Sequence, residues 1–250
     1  MDSDSKLIKA RTEDLFKLCD KHCEAKFSQF LDGGEIAVIE DEVGISYGYN
    51  TMFFGGYEGA ERKIFGVFPE WQEAAESDFP ICVLRFDVPK FRTLTHRDYL
   101  GTLMSLGLDR SKTGDILIDG DGAYVFVESS IAEYVARNVN KIANIGVKGH
   151  IVDTESFVAP RPKTTEKMCV CASLRLDAVL AAALNISRTT AENLIREEKV
   201  KVNHRVFTDR SRQVNTGDLL SVRGYGRFIL KDTGNSTRKG RLHITVEKFV

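Results

Sequence analysis

Hydrophobic positions in the last third of the chain recur first at helical spacing and then at strand spacing. The stripe of the first predicted helix consists of Leu174, Leu176, Val179, Leu180 and Ala183. Ser187 is a favourable N-cap for a second helix over residues 188 to about 198. Residues 200–203 alternate like a strand, and Gly217-Asp218 predicts a hairpin turn into residues 219–223. This stretch therefore predicts two short helices followed by a small sheet.

Strand patterns flank this stretch on both sides. The C-x-C pair at residues 169–171 falls in a strand pattern, and such a pair alone is a weak metal signal. Residues 242–249 predict a last strand that pairs with residues 226–231 through a turn at residues 234–236. A basic, Pro-rich connector at residues 159–165 disfavours helix and predicts a domain boundary.

The middle of the chain alternates between strand and helix patterns. Predicted strands cover residues 81–86, 114–118, 123–127 and 147–152. Predicted helices cover residues 96 to about 106, after an N-cap at Thr95, and residues 131 to about 139. The order β-α-β-β-α-β is that of the ferredoxin-like split βαβ unit, which many RNA-recognition domains use.

Aromatic and basic residues of this middle part allow two interpretations each. Tyr124 and Phe126 share one face of the third strand, where they could form a stacking platform for RNA bases or fill the core beneath the helices. The cations that flank the first helix are further candidates for RNA contacts: Arg97, Arg110 and Lys112. A solvated charged surface explains these cations nearly as well as phosphate contacts do.

The first 75 residues predict one long helix and several strands. The helix covers residues 13 to about 31, with Thr12 as its cap and Asp32-Gly33-Gly34 as its end. Strand patterns follow at residues 36–39, 52–54 and 63–68. The glycine loop at residues 55–59 lacks the spacing of a phosphate-binding loop, and a turn is the preferred interpretation.

Together these patterns predict an α+β fold of three small modules. They are an acidic N-terminal α/β domain at residues 1–75, a central ferredoxin-like, RRM-like domain at residues 80–158, and a C-terminal domain of two helices and a small sheet at residues 166–250. The polar, acidic residues 71–80 are the predicted linker between the first two modules.

Charge is distributed unevenly over the chain, although its formal net charge is only −1. Residues 1–79 contain 8 Lys and Arg against 17 Asp and Glu, residues 80–165 contain 11 against 10, and residues 166–250 contain 16 against 9. The C-terminal part, at +7, is therefore expected to meet a polyanion, whereas the N-terminal part, at −9, is not.

Composition narrows the location and the chemistry of the protein. The acidic N-terminus lacks a signal-peptide pattern, and no apolar run approaches the roughly 20 residues of a membrane span, so we expect a cytoplasmic protein. Five cysteines then predict no disulfide framework. Cys19, His22 and Cys23 share a helical spacing, but no fourth ligand supports a metal site, and core packing is preferred. No cofactor is predicted.

The pattern over residues 175–227 resembles the small S4-like RNA-binding domain that ribosomal small-subunit protein four shares with tyrosyl-tRNA synthetases and several RNA-modifying enzymes. It departs from that family at Lys199 and His204, where Gly is usual. Free backbone N–H groups and the positive dipole end at Arg188 favour a phosphate. The predicted RNA-binding residues are Arg175, Ser187, Arg188, Arg196, Lys199, Lys201, Asn203, Arg205, Arg223 and Arg227.

A second resemblance spans nearly the whole chain. Residues 94–101, 106–110 and 114–116 resemble the central signature of the YlmH-type bacterial RNA-binding proteins, and residues 54–62 resemble their N-terminal signature. The resemblance implies a bacterial RNA-binding protein, encoded near cell-division genes, that binds rRNA or tRNA on the large ribosomal subunit. It further implies a role in ribosome-associated quality control of stalled peptidyl-tRNA complexes, with other quality-control factors as partners and no small-molecule substrate. Because the sequence has no Ser/His/Asp arrangement and no metal-ligand set, we expect the protein not to be an enzyme. The residues by themselves predict only a binder of large structured RNA.

Two alternative functions stay open at this stage. The first is an RNA-modifying enzyme, because Leu174-Arg-Leu-Asp177 is near the Gly-Arg-Leu-Asp of pseudouridine synthases, whose Asp is the nucleophile. Asp177, however, begins the RNA-binding domain itself, where Asp serves the helix N-terminus. A methyltransferase would need a Gly-rich strand-loop-helix for its cofactor, and none is found. The second alternative is a cell-division interaction protein that binds its partner through the acidic N-terminal domain.

Overall fold

A computed structural model of the chain describes residues 3–42, 49–89, 92–153, 157–160, 164–236 and 240–249. The chain forms two compact units, residues 1–160 and residues 161–250. Unit 1 begins with five elements: α1 (Ser3–His22), β1 (Lys26–Leu31), α2 (Gly33–Glu42), β2 (Tyr49–Phe54) and β3 (Lys63–Pro69). The three strands form an antiparallel sheet in the order β1-β3-β2. The strands predicted at residues 52–54 and 63–68 are thereby confirmed.

The predicted helix over residues 13–31 is wrong at both ends. Thr12 lies inside α1, where its hydroxyl donates a hydrogen bond to the Ile8 carbonyl at 2.9 Å. Helix α1 ends at His22, and Cys23 adopts a left-handed φ of 52°. Phe27 and Phe30 gave the false helical spacing because the register of β1 shifts between them, and this irregularity lets strand residues three apart contact the same core.

The strand predicted at residues 36–39 is also wrong, because these residues belong to α2. Asp32 starts this helix: its carboxylate accepts hydrogen bonds from the backbone N–H groups of Gly34 and Glu35 at 2.8 and 3.0 Å. Glu35 in turn accepts from the Asp32 N–H at 2.7 Å. This reciprocal pair is a capping box, so Asp32-Gly33-Gly34 begins a helix instead of ending one.

The rest of unit 1 has the predicted ferredoxin-like arrangement. Its elements are β4 (Ile81–Asp87), α3 (His96–Ser105), β5 (Thr113–Asp119), β6 (Gly122–Glu128), α4 (Ser129–Asn138), β7 (Lys141–Ile142), β8 (Ile145–Gly146) and β9 (Lys148–Val152), with short 3-10 helices at Glu76–Asp78 and Arg110–Lys112. The antiparallel sheet has the order β5-β6-β4-β9. Thr95, the predicted N-cap of α3, forms a capping box with Asp98. The small β7–β8 hairpin was not predicted.

Both faces of this central sheet are covered. On one face, Leu84 and Phe86 pack under α3 and α4. On the other face, Val83 and Phe126 share a hydrophobic cluster with residues of β1 and β3, among them Phe30. The N-terminal and central parts thus have a common core, and their division into residues 1–75 and 80–158 stays a prediction.

Unit 2 contains the predicted two helices and a larger sheet than the pattern suggested. Its elements are β10 (Thr164–Cys171), α5 (Leu176–Leu184), α6 (Arg188–Arg196), β11 (Val200–Val202), β12 (Arg205–Val206), β13 (Leu219–Val222), β14 (Gly226–Ser236) and β15 (Leu242–Phe249). The sheet order is β10-β15-β14-β13-β11-β12. The turn predicted at residues 234–236 is wrong, because β14 runs through them and Ser236 pairs with Leu242.

The helix pair of unit 2 is held by one continuous core. Leu176, Leu180 and Ile195 are fully buried in the same cluster as Val200 and Val202 of β11. Between the helices, the chain turns in a left-handed conformation with a φ of 56° at Asn185, a residue type that tolerates it. This packing fixes where the two helices begin, and those helix starts position the basic residues described next.

Candidate nucleic-acid interface

A buried carboxylate organises the basic residues at the helix starts of unit 2. Asp177 is 0% exposed and accepts hydrogen bonds from Arg188 at 2.7 Å and from Arg175 at 3.3 Å, whose side chains are 52% and 35% exposed. Burial alone would raise the pKa of Asp177, but the hydrogen bonds from Arg188 and Arg175 outweigh it, and its pKa is lowered. The same hydrogen bond raises the pKa of Arg188. Asp177 therefore holds two charged guanidinium groups at a half-exposed surface.

The start of α6 lies within this group. Ser187 is the N-cap, and its hydroxyl accepts a hydrogen bond from the Thr190 N–H at 3.0 Å. Ser187 thus has a local structural task, and Arg188 follows it as the first residue of the helix. Unpaired backbone N–H groups and the positive dipole end favour an anion here.

A loop over residues 207–213 adds a third arginine to the group. Its carbonyl oxygens at Arg210 and Arg212 accept hydrogen bonds from the Asp177 and Leu176 N–H groups at 3.3 and 2.8 Å, and they thereby cap α5. The Arg210 side chain bonds Glu192 of α6 at 2.8 Å. We name Arg175, Arg188 and Arg210 the helix-start arginines. Arg210 belongs to the basic segment but was not among the predicted RNA-binding residues.

A second set of cations lies on the open face of the sheet. Lys201 is exposed between the buried Val200 and Val202, so it points away from the face that α5 and α6 cover. Lys201 pairs with Ser221, and Ser221 pairs with Arg227, so the three residues form a row across β11, β13 and β14. The Arg227 guanidinium lies 5.2 Å from the centre of the Phe249 ring. The predicted RNA-binding residues described so far therefore occupy two surfaces of unit 2.

The other predicted residues of unit 2 have identifiable positions. Arg196 donates to Asn193 at 2.8 Å at the end of α6, and Lys199 bonds Glu197 at 2.7 Å. Asn203 joins two turns, because its amide donates to Asp218 at 2.7 Å and its oxygen accepts from the Leu219 N–H at 2.9 Å. Arg205 is exposed in β12, the edge strand of the sheet, and Arg223 is exposed in the turn after β13.

The two positions that depart from the S4-like pattern behave differently. His204 adopts a φ of 66°, a conformation that favours Gly, so this turn carries strain. At the other turn the positive φ, 55°, falls on Glu198, one residue before Lys199. Lys199 itself is therefore not forced into the left-handed region.

The aromatic platform of the central part is not open to solvent. Phe126 is 0% exposed, with the rings of Tyr57 and Phe157 centred 5.0 and 5.4 Å away. Phe157 also contacts Tyr124. The Arg85 guanidinium lies over the Tyr124 ring, 4.6 Å from its centre. Phe126 therefore fills a core, but it is the core shared with β1 and β3 and not the one beneath the helices. Stacking of RNA bases on Phe126 would require this cluster to open.

Arg110 is likewise turned into the protein. Its guanidinium donates to the carbonyls of Thr113 and Gly114 at 2.6 and 3.1 Å. Burial, together with the nearby Arg62, lowers the pKa of Arg110 to about 10. Lys112 lies 3.8 Å from Glu128. Of the three candidate cations of the central part, Arg97 is exposed and has no such partner among the residues that the structure describes. It lines a shallow pocket of about 400 Å³ with Lys141 of β7.

The stretch at residues 54–62 has a structural role. Asp115 of β5 accepts hydrogen bonds from the Tyr57 hydroxyl at 2.8 Å and from the Glu61 and Arg62 N–H groups at 2.7 and 3.1 Å. Gly56 has a φ of 96°, and a Cβ there would lie 2.4 Å from the ring of Phe126. The glycine loop is therefore a turn that fastens the N-terminal sheet to the central sheet.

Metal and membrane sites receive no support from the described ranges. Cys19 is buried in the core and Cys23 is exposed. Across the part of the chain that the structure describes, no group of His, Cys, Asp and Glu is arranged to hold a metal ion. The helices described there also include none with the length and apolar character needed to cross a membrane.

The fold and its basic surfaces define an RNA-binding protein with an S4 domain, and comparisons with known proteins agree. Residues 174–220 match the family model "S4 domain", and residues 74–156 match the model "Putative RNA-binding domain in YlmH". The chain is 32% identical over 233 residues, 93% of its length and 90% of the relative's, to "Ribosome-associated protein quality control protein P2" of Bacillus subtilis (strain 168). The chain therefore belongs to the YlmH family and is a homologue of a ribosome-associated quality control protein.

A solved structure shares the fold of part of the chain. It is "Cell division protein ylmH from Streptococcus pneumoniae", with a TM-score of 0.53 and 21% sequence identity. The match covers 63% of this chain and 97% of that chain. At this identity the likeness concerns the fold alone.

Proposed function

We propose that this protein is a non-catalytic factor that binds RNA on the large ribosomal subunit and acts in ribosome-associated quality control of stalled peptidyl-tRNA complexes. The observation that carries the proposal is the buried Asp177, which holds the side chains of Arg175 and Arg188 in place beside the start of α6. A guanidinium fixed in this way, with neighbouring free N–H groups, suits an RNA phosphate. Family membership supports the ribosomal setting.

The arrangement of charge supports recognition of RNA shape over sequence. The helix-start arginines and the row containing Lys201 and Arg227 lie on different faces of one small domain. Phosphate contacts of this kind fix affinity and register without reading bases. Two basic faces on one domain suit a folded RNA, such as rRNA at a junction or rRNA beside a bound tRNA, better than a single straight helix.

Unit 1 contributes to RNA binding through a surface other than its sheet. The sheet face that RNA-recognition domains use for stacking is covered here by Tyr57 and Phe157. The exposed Arg97 and Lys141, which line the same shallow pocket, are the alternative. We therefore place a second, weaker RNA contact on the surface that α3 and β7 form around this pocket.

Filter binding to purified large-subunit rRNA tests the main contact. The variant with Arg188→Glu and Lys201→Glu reverses one charge on each face of unit 2. The control with Lys17→Glu and Arg137→Glu makes the same change in net charge at exposed positions of unit 1. We expect the first variant to lose most of its affinity and its salt dependence to become shallower by roughly one unit of slope per lost phosphate contact. Equal affinities for the two variants would refute the assignment.

A separate experiment tests whether the protein modifies RNA. RNA mass mapping compares rRNA and tRNA from cells with and without the gene. We expect every modification to be retained in the deletion strain. Loss of one specific modification would establish the RNA-modifying alternative instead.

A further inference from the structure

The only tryptophan of the chain is displayed on a fixed turn of unit 1. Trp71 is 73% exposed and lies in the turn that follows β3. The Gln72 N–H donates to the Pro69 carbonyl at 2.9 Å and closes the turn. The Asn50 side chain donates to the carbonyls of Glu70 and Gln72 at 3.3 and 2.8 Å, on both sides of Trp71. Three hydrogen bonds thus hold the backbone on both sides of Trp71.

The chain beyond the turn is also anchored. Phe79 is 6% exposed and packs against the rings of Phe27, Phe54 and Phe68 at centre distances of 5.2, 5.5 and 6.0 Å. Ala74 contacts the same cluster. Trp71 therefore lies between the hydrogen-bonded turn and the anchored Phe79. Ala74 and Phe79 pack against the core, whereas the Trp71 ring does not. An indole exposed on a hydrogen-bonded turn is a candidate contact for a partner, since large aromatic side chains dominate interface energetics.

The segment around Trp71 is acidic. Residues 64–84 contain four carboxylates and no Lys or Arg. The four are exposed: Glu70, Glu73, Glu76 and Asp78. None of them forms an ion pair with another residue that the structure describes. An indole can stack on an RNA base, but the four carboxylates repel the phosphates that accompany the base. The same carboxylates favour a partner with a cationic surface.

We propose that the Trp71 turn is a docking site for a protein surface in which an apolar pocket is rimmed by Lys and Arg. The indole fills the pocket, and the four carboxylates face the basic rim. Trp71, Glu70 and Glu73 lie outside both matched family models, whereas Glu76 and Asp78 fall at the start of the model that covers residues 74–156. It goes beyond the proposed RNA contact, because it gives the acidic end of the chain a protein partner while the basic end binds RNA.

Site-specific photo-crosslinking tests this proposal. The photoreactive amino acid p-benzoylphenylalanine replaces Trp71 in the full chain, and the same replacement at Tyr134, an exposed aromatic residue of α4, is the matched control. Crosslinked products from irradiated cells are identified by mass spectrometry. We expect one basic protein at position 71 that is absent at position 134. Adding Glu73→Lys with Glu76→Lys should reduce the yield by about tenfold, because both changes oppose the basic rim.

Direct binding to the purified crosslinked protein completes the test. Trp71→Ala should weaken the affinity by roughly thirtyfold, as loss of a central aromatic contact does. The variant with Arg188→Glu and Lys201→Glu should bind that protein as the wild type does, which separates this surface from the RNA contact. Crosslinks only to RNA, crosslinks to a neutral or acidic protein, or a yield at position 71 no higher than at position 134 would each overturn the proposal.

Discussion

Replacing Asp177 by Asn removes the charge that holds two arginines while keeping the shape of the side chain. A hydrogen bond to a charged group contributes about 1.5–3 kcal/mol when it is shielded from water. The side chains of Arg175 and Arg188 are 35% and 52% exposed, so solvent screening reduces each contact to about 0.5–1 kcal/mol. Asn retains one acceptor oxygen, and we expect Asp177→Asn to lower the stability of unit 2 by about 1–2 kcal/mol.

Hydrogen exchange followed by mass spectrometry measures this loss in the full chain. Amides of α5 and α6 should exchange faster in Asp177→Asn, by roughly five- to thirtyfold. The amides of β3 and β6 lie in unit 1, so their exchange in the same experiment shows whether that unit is unchanged. Asp14→Asn is the control, because Asp14 is 63% exposed and its ion pair with Lys17 lies on the surface. Unchanged exchange in α5 and α6 would refute the claim that Asp177 organises the helix starts.

The pH dependence of the same exchange gives a second check. Because the pKa of Asp177 is lowered in the folded protein, its contribution to stability is fully present above the ordinary Asp value of about 3.9. That contribution is lost as the pH falls through the lowered folded value. The difference between wild type and Asp177→Asn should therefore shrink in acid. A difference that stays constant from neutral pH down through this range would contradict the ionised state assigned to Asp177.

Three further predictions concern the core, the helix cap and the second RNA contact. Phe126→Ala should destabilise unit 1 by about 3–5 kcal/mol in urea titrations followed by hydrogen exchange of the β3 and β6 amides, because the ring is 0% exposed in the core that β1, β3 and the central sheet share; a loss below about 1 kcal/mol would argue against that shared core. Ser187→Ala should cost about 1 kcal/mol in circular dichroism melting, since it removes the N-cap of α6; an unchanged melting curve would refute the cap. Arg97→Glu with Lys141→Glu should weaken rRNA binding in the filter assay without changing the melting temperature, and unchanged affinity would remove the second RNA contact.

Local signals made the C-terminal domain predictable from sequence. Ser187 is a typical N-cap residue and marks the start of α6, and Asn185 tolerates the left-handed turn between the helices. The apolar stripes of both helices pack into the observed core. The candidate site was only partly predictable. The pairing of Arg188 with Asp177 joins residues eleven positions apart across two helices, and no periodic pattern specifies it. The basic residues were found, but not their division between two faces.

The errors arose where non-local contacts override the local pattern. Phe27 and Phe30 imitated a helix because β1 is irregular between them. Phe126 looked like a stacking candidate because the residues that cover it come from distant parts of the chain, such as Tyr57. Arg110 looked like a phosphate contact because its basicity is visible in the sequence, whereas its backbone partners depend on the tertiary fold.

The measurement that tests the central claim most directly is co-sedimentation with purified large ribosomal subunits, prepared with and without a bound peptidyl-tRNA. The wild type and the Lys17→Glu with Arg137→Glu control should pellet with the subunits, and more strongly when the peptidyl-tRNA is present. The Arg188→Glu with Lys201→Glu variant should stay in the supernatant. If that variant pellets as the wild type does, or if the wild type does not pellet with either preparation, the basic surfaces of unit 2 are not the ribosome-binding site.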